Sequence, residues 1–343
     1  GVVMNNLLRT LHVEKRQWVV CLALSLSTIG AAANESLRTT GSQPAEEVPQ
    51  FEYDPSWPLR PLPNQWILGE VGGISVDAQG HIWVIHRPWT VTGRELGAVD
   101  GDSACCRPAP SVIEFDQAGQ VVQAWPELQQ FEAPPGTPAG QGNRVGPNGA
   151  TLWESVPGPY GDWGRREHTV YVDSTDHVWV SNDESQVLYK FTRAGRHVLT
   201  IGDRGVTAGS NDRNRLGRPA GLVLDSGTNE LFVADGYTNK RVIVFDATTG
   251  EYRRHWGAYG NTPQDIDQGR YDPSAPPPRQ FLGPVHGIAL SADGLLYVTD
   301  RSANRIQVFR RDGAFVQEGF IAAETRDLGT TYGVALSHDA AQR

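Results

Sequence analysis

Two histidines, His168 and His286, each stand five residues before the residue that opens a tight turn, Asp173 and Ser291. Gly72, Ala220 and Tyr332 hold the same place in three further copies of the pattern, ahead of Asp77, Asp225 and Ser337. Side chains that recur in phase fall on one ring when the repeated units pack around an axis. If the ring has six units, the second and fourth lie a third of a turn apart. A histidine in the sixth would then complete a three-nitrogen set with an open position, the arrangement of a catalytic zinc site. Two histidines that line a polar channel and touch only water carry the same spacing, so both readings stand. A second in-phase position reads His86-Arg87, Asn182-Asp183, Asp235-Gly236-Tyr237 and Asp300-Arg301. Asp235 and Asp300 are each followed by an Asn and an Arg, Asn239 with Arg241 and Asn304 with Arg305, which suits a carboxylate that fixes a turn and pairs with an arginine. Arg87, Tyr237 and Arg301 vary at that shared strand end. A residue that breaks the repeat at a shared place suits a site better than the scaffold.

The element that must position these residues is the repeat itself. Four nearly complete copies read Gly72-Gly73-Ile74-Ser75-Val76-Asp77 with Ile82-Trp83-Val84, His168-Thr169-Val170-Tyr171-Val172-Asp173 with Val178-Trp179-Val180, Ala220-Gly221-Leu222-Val223-Leu224-Asp225 with Leu231-Phe232-Val233, and His286-Gly287-Ile288-Ala289-Leu290-Ser291 with Leu296-Tyr297-Val298. Each runs on to a strand ending in Phe115, Phe191, Phe245 or Phe309, a turn with Gly119, Gly195, Gly250 or Gly313, and a fourth apolar segment. Four short strands per unit, separated by turn residues, describe a β-propeller blade. The 38 Gly, 23 Pro and 10 Trp beside a single Met agree with an all-β chain rather than a helical bundle. A fifth copy opens at Tyr332-Gly333-Val334-Ala335-Leu336-Ser337, so residues 70–343 read as about four and a half blades. Residues 34–69 read as a lead-in, and Gly/Pro/Asp-rich insertions at 88–110, 126–165 and 258–282 read as loops at the channel mouth.

Charge and cysteine usage narrow the partners and the compartment. Lys and Arg total 30 against 39 Asp and Glu, for a net charge of −9, and no basic cluster offers a footing for nucleic acid or an anionic membrane. Arg9, Lys15 and Arg16 precede an apolar run from Trp18 to Gly30 and then Ala31-Ala32-Ala33, the layout of a secretory signal peptide over residues 1–33 with the start at Met4. That run is too short for a stable membrane anchor, and the mature chain is expected outside the cytoplasm. Cleavage leaves Cys105 and Cys106, which in an oxidising compartment can bridge locally, stay free or pair with another molecule.

Taken together, these segments resemble NHL-repeat six-bladed propellers. More specifically they are similar to the peptidyl-α-hydroxyglycine α-amidating lyases, over about residues 70 to 320. The resemblance rests on Val84-Ile85-His86-Arg87, Glu167-His168-Thr169-Val170, the stretch Phe232 to Val242 with Asp235-Gly236-Tyr237, His255-Trp256-Gly257, Pro284-Val285-His286-Gly287, and Val298-Thr299-Asp300-Arg301 with Asn304 to Phe309. It implies a zinc on three histidines, with His168 and His286 the first two and the third in a sixth blade beyond Arg343. It also implies a structural calcium bound partly by the backbone carbonyls of Ile74 and Val170. Tyr237 would be the general base, and Arg87 and Arg301 would hold the substrate α-carboxylate. The substrate would be a small peptide or N-acyl-α-hydroxyglycine split to a primary amide and glyoxylate by a protein that is monomeric when its ring is complete. Thr238 stands where animal members have a disulfide-bonded Cys, Glu167 stands in place of a Pro, and the insertions after Arg87 and Trp125 are longer. A propeller that binds a ligand or a protein without chemistry is the alternative. A lactonase-type site is disfavoured, because Asp77, Asp173 and Asp225 are all off the ring position.

Overall fold

The structure is a computed structural model that describes residues 51–91, 106–125, 166–203 and 206–337. The signal peptide expected over 1–33, Cys105 and the insertion at 126–165 lie outside the described residues. Cys106 is in a disulfide whose partner also lies outside them. Among the described residues no helix is long and apolar enough to cross a membrane.

In chain order the first strands are β1 (Trp66–Ile67), β2 (Glu70–Val76), β3 (Ile82–Arg87), β4 (Arg107–Pro108), β5 (Val112–Phe115) and β6 (Val121–Trp125). β2-β3-β5-β6 form the first four-stranded antiparallel blade, and β1 pairs in parallel with β4 beside it. The second blade is β7 (Glu167–Val172), β8 (His177–Asn182), β9 (Val187–Thr192) and β10 (His197–Ile201). β11 (Pro219–Asp225), β12 (Glu230–Asp235), β13 (Arg241–Asp246) and β14 (Tyr252–Trp256) make the third. β15 (Val285–Leu290), β16 (Leu295–Asp300), β17 (Arg305–Arg310) and β18 (Phe315–Phe320) make the fourth. The fold is thus an all-β propeller with four blades among the described residues. The fifth copy, expected from Tyr332, forms no assigned strand, yet it lies beside β15, since a Cβ on Gly287 would sit 2.9 Å from the Cα of Gly333.

Each blade is closed by the turn residue that marks its repeat. Asp77 accepts the amides of Gln79 and His81 through Oδ1 and the indole N–H of Trp83 through Oδ2 at 3.0 Å, and Asp173 repeats this with Thr175, His177 and Trp179. One carboxylate therefore shapes the hairpin and ties it to the strand that faces the next blade. Apolar faces then stack from blade to blade. Trp83, Ile85 and Val112 pack with Val170, Val172 and Val178, while Trp179 and Leu188 pack with Leu222 and Leu231. Phe232 and Val244 pack with Val285, Ile288 and Phe309 in the same way. Burial of this kind contributes about 1.5–3 kcal/mol per large side chain. The lead-in residues Trp57, Leu62, Trp66 and Leu68 cover the other face of the first blade at Val84 and Ile113. The turn glycines serve the stacking too. Gly195 has φ +79°, and a Cβ there would fall 2.6 Å from the ring of Trp125 in the preceding blade; Gly313 stands in the same relation to Trp256.

A second repeated device sits at the inner end of the second strand. Asp235 accepts the amide of Gly217 and pairs with Arg241, and Asp300 accepts the amides of Leu282 and Gly283 and pairs with Arg305. This is the carboxylate and arginine pairing expected from the spacing. In the first blade the equivalent residue is His86, which is fully buried. Its Nδ1 accepts the Gly69 amide at 3.1 Å, and its Nε2 faces the Pro110 carbonyl at 2.9 Å, so the neutral tautomer protonated on Nε2 satisfies both partners. Burial pushes its pKa down to about 4, against about 6.5 in an unfolded chain. The unfolded state therefore takes up a proton first as pH falls. The stabilising term is complete above about pH 6.5 and is lost progressively toward pH 4, by up to about 3 kcal/mol. Urea unfolding across that window should show the loss, and a His86→Gln variant should show a flatter profile. Equal slopes in the two proteins would contradict this account.

Candidate active site

The ring residues do not sit in regular ladder. Each innermost strand has a register shift at the ring position, between Val71 and Gly73 in β2, Glu167 and Thr169 in β7, Pro219 and Leu222 in β11, and Val285 and Ile288 in β15. A bulge bends a strand and re-aims the residue it carries, and His168 and His286 stand within two of these bulges. Tyr237 comes two residues after the end of β12, past Gly236. Only a glycine fits at 236, because a Cβ would meet the backbone N and O of Val285 at 2.1 and 2.2 Å. That approach carries the tyrosine to the start of β15, beside His286. Gly236→Ala should push Val285 outward, cost toward the upper end of about 1–3 kcal/mol, and separate His286 from Tyr237. Thermal melting and the NMR signals of the His286 ring check both effects; wild-type melting with unshifted His286 signals would refute the assignment.

The three side chains meet at one oxygen. The Tyr237 hydroxyl lies 3.1 Å from Nε2 of His168 and 3.0 Å from Nε2 of His286, and the two imidazole centroids are 4.7 Å apart. His286 Nδ1 can only donate to its partner, the Tyr332 carbonyl, so the neutral ring leaves Nε2 as an acceptor for the tyrosine O–H. His168 then donates from Nε2 to the same oxygen, and its Nδ1 accepts from the Thr169 hydroxyl at 3.3 Å. Burial, then the charge of His286 and of Arg87, Arg166 and Arg301, push the His168 pKa down to about 3. Burial chiefly lowers that of His286 as well. Both rings are therefore neutral, the state in which imidazole binds a metal.

This donor set fits zinc in part. Two neutral imidazoles aim Nε2 at a common point, and the Nδ1 of His286 has the outer hydrogen bond that commonly orients a metal ligand. Among the described residues no third His, Cys or carboxylate joins them. Among the described residues the one group that could hold a metal by proximity is Asp77, His81 and Glu114. The Arg193 guanidinium binds both of those carboxylates, as well as Asp176, so a cation already neutralises that cluster. Ile74 and Val170 occupy equivalent positions in the adjacent strands β2 and β7, opposite Val84 and Val180. Two carbonyls are a third or less of the six to eight oxygens calcium takes, so this pair alone does not define a site.

The two arginines expected to hold a carboxylate differ. Arg87 donates from Nε and Nη2 to the Glu167 carbonyl at 3.2 and 3.0 Å, and from Nη1 to Glu70 at 3.0 Å. Its fork bridges the first and second blades. Arg301 lies with Cζ 4.8 Å from the ring of Tyr332 and 5.7 Å from that of Tyr237. Its Nη1 reaches the Tyr237 hydroxyl only at 3.5 Å, and its buried Nε has no hydrogen-bond partner. Arg301 is therefore held chiefly by its contacts with two aromatic rings, and its guanidinium makes one long hydrogen bond. Sequence reasoning passed over Arg218, whose guanidinium lies 5.0 Å from the Tyr237 ring, and Arg166, although both stand two residues before the ring position, the place that Glu70 and Pro284 take in the first and fourth units.

Fold and site together define a β-propeller whose blades bring histidines, a tyrosine and arginines to the inner rim, and residues 285–309 match the NHL repeat family model. Within that class the chain is similar to the amidating lyases. It is 28% identical over 269 residues to the peptidyl-α-hydroxyglycine α-amidating lyase 1 of Drosophila melanogaster, which covers 76% of this chain and 40% of that protein. It is 30% identical over 154 residues to the peptidyl-glycine α-amidating monooxygenase of Mus musculus, which covers 44% of this chain and 14% of that protein. The chain thus spans well under half the length of these relatives. A solved streptogramin B lyase structure overlays with a TM-score of 0.41 at 12% identity, covering 74% of this chain and 56% of that one, a likeness too low to carry an argument.

Proposed function

We propose that this propeller belongs to a zinc-dependent lyase that splits a carbinolamide, R–CO–NH–CH(OH)–COO⁻, into a primary amide and glyoxylate. The observation that carries the reading is the convergence of His168 and His286 on the Tyr237 hydroxyl, with the Arg301 guanidinium beside it. His168 and His286 would hold the zinc, which when bound would polarise the substrate oxygen. Arg301, fixed between two tyrosine rings, grips the α-carboxylate through charge-assisted hydrogen bonds. With both Nε2 atoms given to the zinc, the Tyr237 hydroxyl would no longer donate to His286 and, as the phenolate, would take the proton of the carbinol hydroxyl at its own oxygen and pass it to the departing amide nitrogen. The C–O bond becomes the glyoxylate carbonyl as the C–N bond breaks, and the amide nitrogen collects a proton. Arg87 acts through the strand, keeping the Glu167 carbonyl next to His168 in place. A six-bladed ring, a third histidine in the sixth blade, a calcium on the carbonyls of Ile74 and Val170, a monomeric state and a location outside the cytoplasm belong to the same proposal. The disulfide at Cys106 supports that location.

One observation favours a non-catalytic binding propeller, namely that only two metal-binding side chains converge among the described residues. Glyoxylate release from α-hydroxyhippurate by the product of the complete gene, with and without added zinc, decides between the readings. Zinc-dependent release is expected. A folded protein that binds zinc and releases no glyoxylate would overturn the lyase reading.

A further inference from the structure

We propose that Asp183 and Arg218 act as a positioning pair that holds the ring of Tyr237 against the two histidines, an inference that rests on the lyase reading for its effect on catalysis. Asp183 takes in the second blade the strand-end place that Arg87 and Arg301 take in the first and fourth. It is an acid among cations, and its side chain is fully buried. Its Oδ2 accepts from Nη2 of Arg218 at 3.0 Å, and its Oδ1 lies 3.0 Å from Nε of Arg166.

Arg218 holds Tyr237 twice. Its Cζ lies 5.0 Å from the ring centroid, within cation–π reach, and its carbonyl accepts the Tyr237 amide at 3.3 Å. Its backbone has φ +61°, a left-handed conformation that is uncommon for a long side chain and that persists where surrounding contacts enforce it. The buried carboxylate supplies such a contact, since it fixes the guanidinium of an otherwise half-buried side chain. Ring and amide are thereby both tied to one residue, and the hydroxyl is left at 3.0–3.1 Å from the two Nε2 atoms.

The test uses the complete gene product carrying meta-fluorotyrosine at position 237, read by fluorine NMR without substrate or added metal. Arg218→Gln and Asp183→Asn should each shift and broaden that resonance, while Arg218→Lys, which keeps a cation over the ring, should recover part of the wild-type signal. With α-hydroxyhippurate, both losses should lower kcat by about ten- to a hundredfold with KM nearly unchanged. The double variant should be no worse than the poorer single, as for residues that act as a unit. Arg218 is partly exposed, so Arg218→Gln should fold even if Asp183→Asn does not. An unmoved resonance in folded Arg218→Gln overturns the pair whatever the activity. If the resonance moves but wild type releases no glyoxylate, the lyase reading falls and the positioning pair stands.

Discussion

On the proposed zinc-lyase reading, replacing His168 with alanine should remove zinc binding and glyoxylate release together. The loss should exceed the roughly 10–100-fold that follows when an outer partner of a metal ligand is removed, because here the ligand itself is lost. The geometry gives the reason. His168 and His286 point Nε2 at the same place, 3.1 and 3.0 Å from one oxygen, and a lone imidazole there cannot define a site. Both rings are neutral before any metal arrives, since burial and the surrounding charges already hold the His168 pKa down to about 3. Binding therefore needs no net loss of a proton near neutral pH, only the shift of the His168 proton from Nε2 to Nδ1. His168→Ala should keep its fold, because the Tyr237 hydroxyl retains His286 as a partner. Metal analysis beside the glyoxylate assay reads the result. Wild-type zinc content in the variant would contradict the two-histidine assignment, and zinc loss with unchanged turnover would detach the metal from the reaction.

Arg305→Ala should be among the most destabilising single changes, at about 3–5 kcal/mol. Arg305 and Asp300 are both fully buried and lie 3.0 Å apart. The guanidinium also donates to the carbonyls of Pro278 and Gln280 at 2.9 Å and to the Tyr259 hydroxyl at 3.0 Å. Truncation leaves a buried carboxylate without its counter-charge and strips two loop carbonyls of their donor. Because that loop leads directly into β15, His286 should lose its place as the protein loses stability. Against the usual 5–15 kcal/mol for a whole domain, such a loss is large. Arg305→Lys should rescue little, since an ammonium cannot span the same partners. Urea unfolding measures the cost; a loss below about 1 kcal/mol would mean the loop is held by other contacts.

The repeat, its four-stranded units and the in-phase places of His168, His286, Tyr237 and Arg301 were legible from residue types alone. Apolar alternation and turn residues are local properties, and a period repeated along the chain shows which side chains must share a ring. The pairing of Asp235 with Arg241 and of Asp300 with Arg305 was legible for the same reason. Contacts between blades were not. Arg87 and Arg301 look alike in the sequence, yet the first is bound to the Glu167 carbonyl of the neighbouring blade while the second lies against the rings of Tyr332 and Tyr237. Arg218 and Asp183 are 35 positions apart, and only the packing of the second blade on the third pairs them and sets the Arg218 guanidinium against the Tyr237 ring.

By itself, then, the sequence determined the all-β repeat and the chemical identity of the residues at its inner rim. The tertiary structure alone decided where those residues point. The bulge at each ring position turns the histidines toward the axis, and Gly236 lets β12 approach β15 closely enough for Tyr237 to reach both. Direction depends on backbone register and on contacts between units distant in the chain, and neither is encoded in the spacing of residues within one unit.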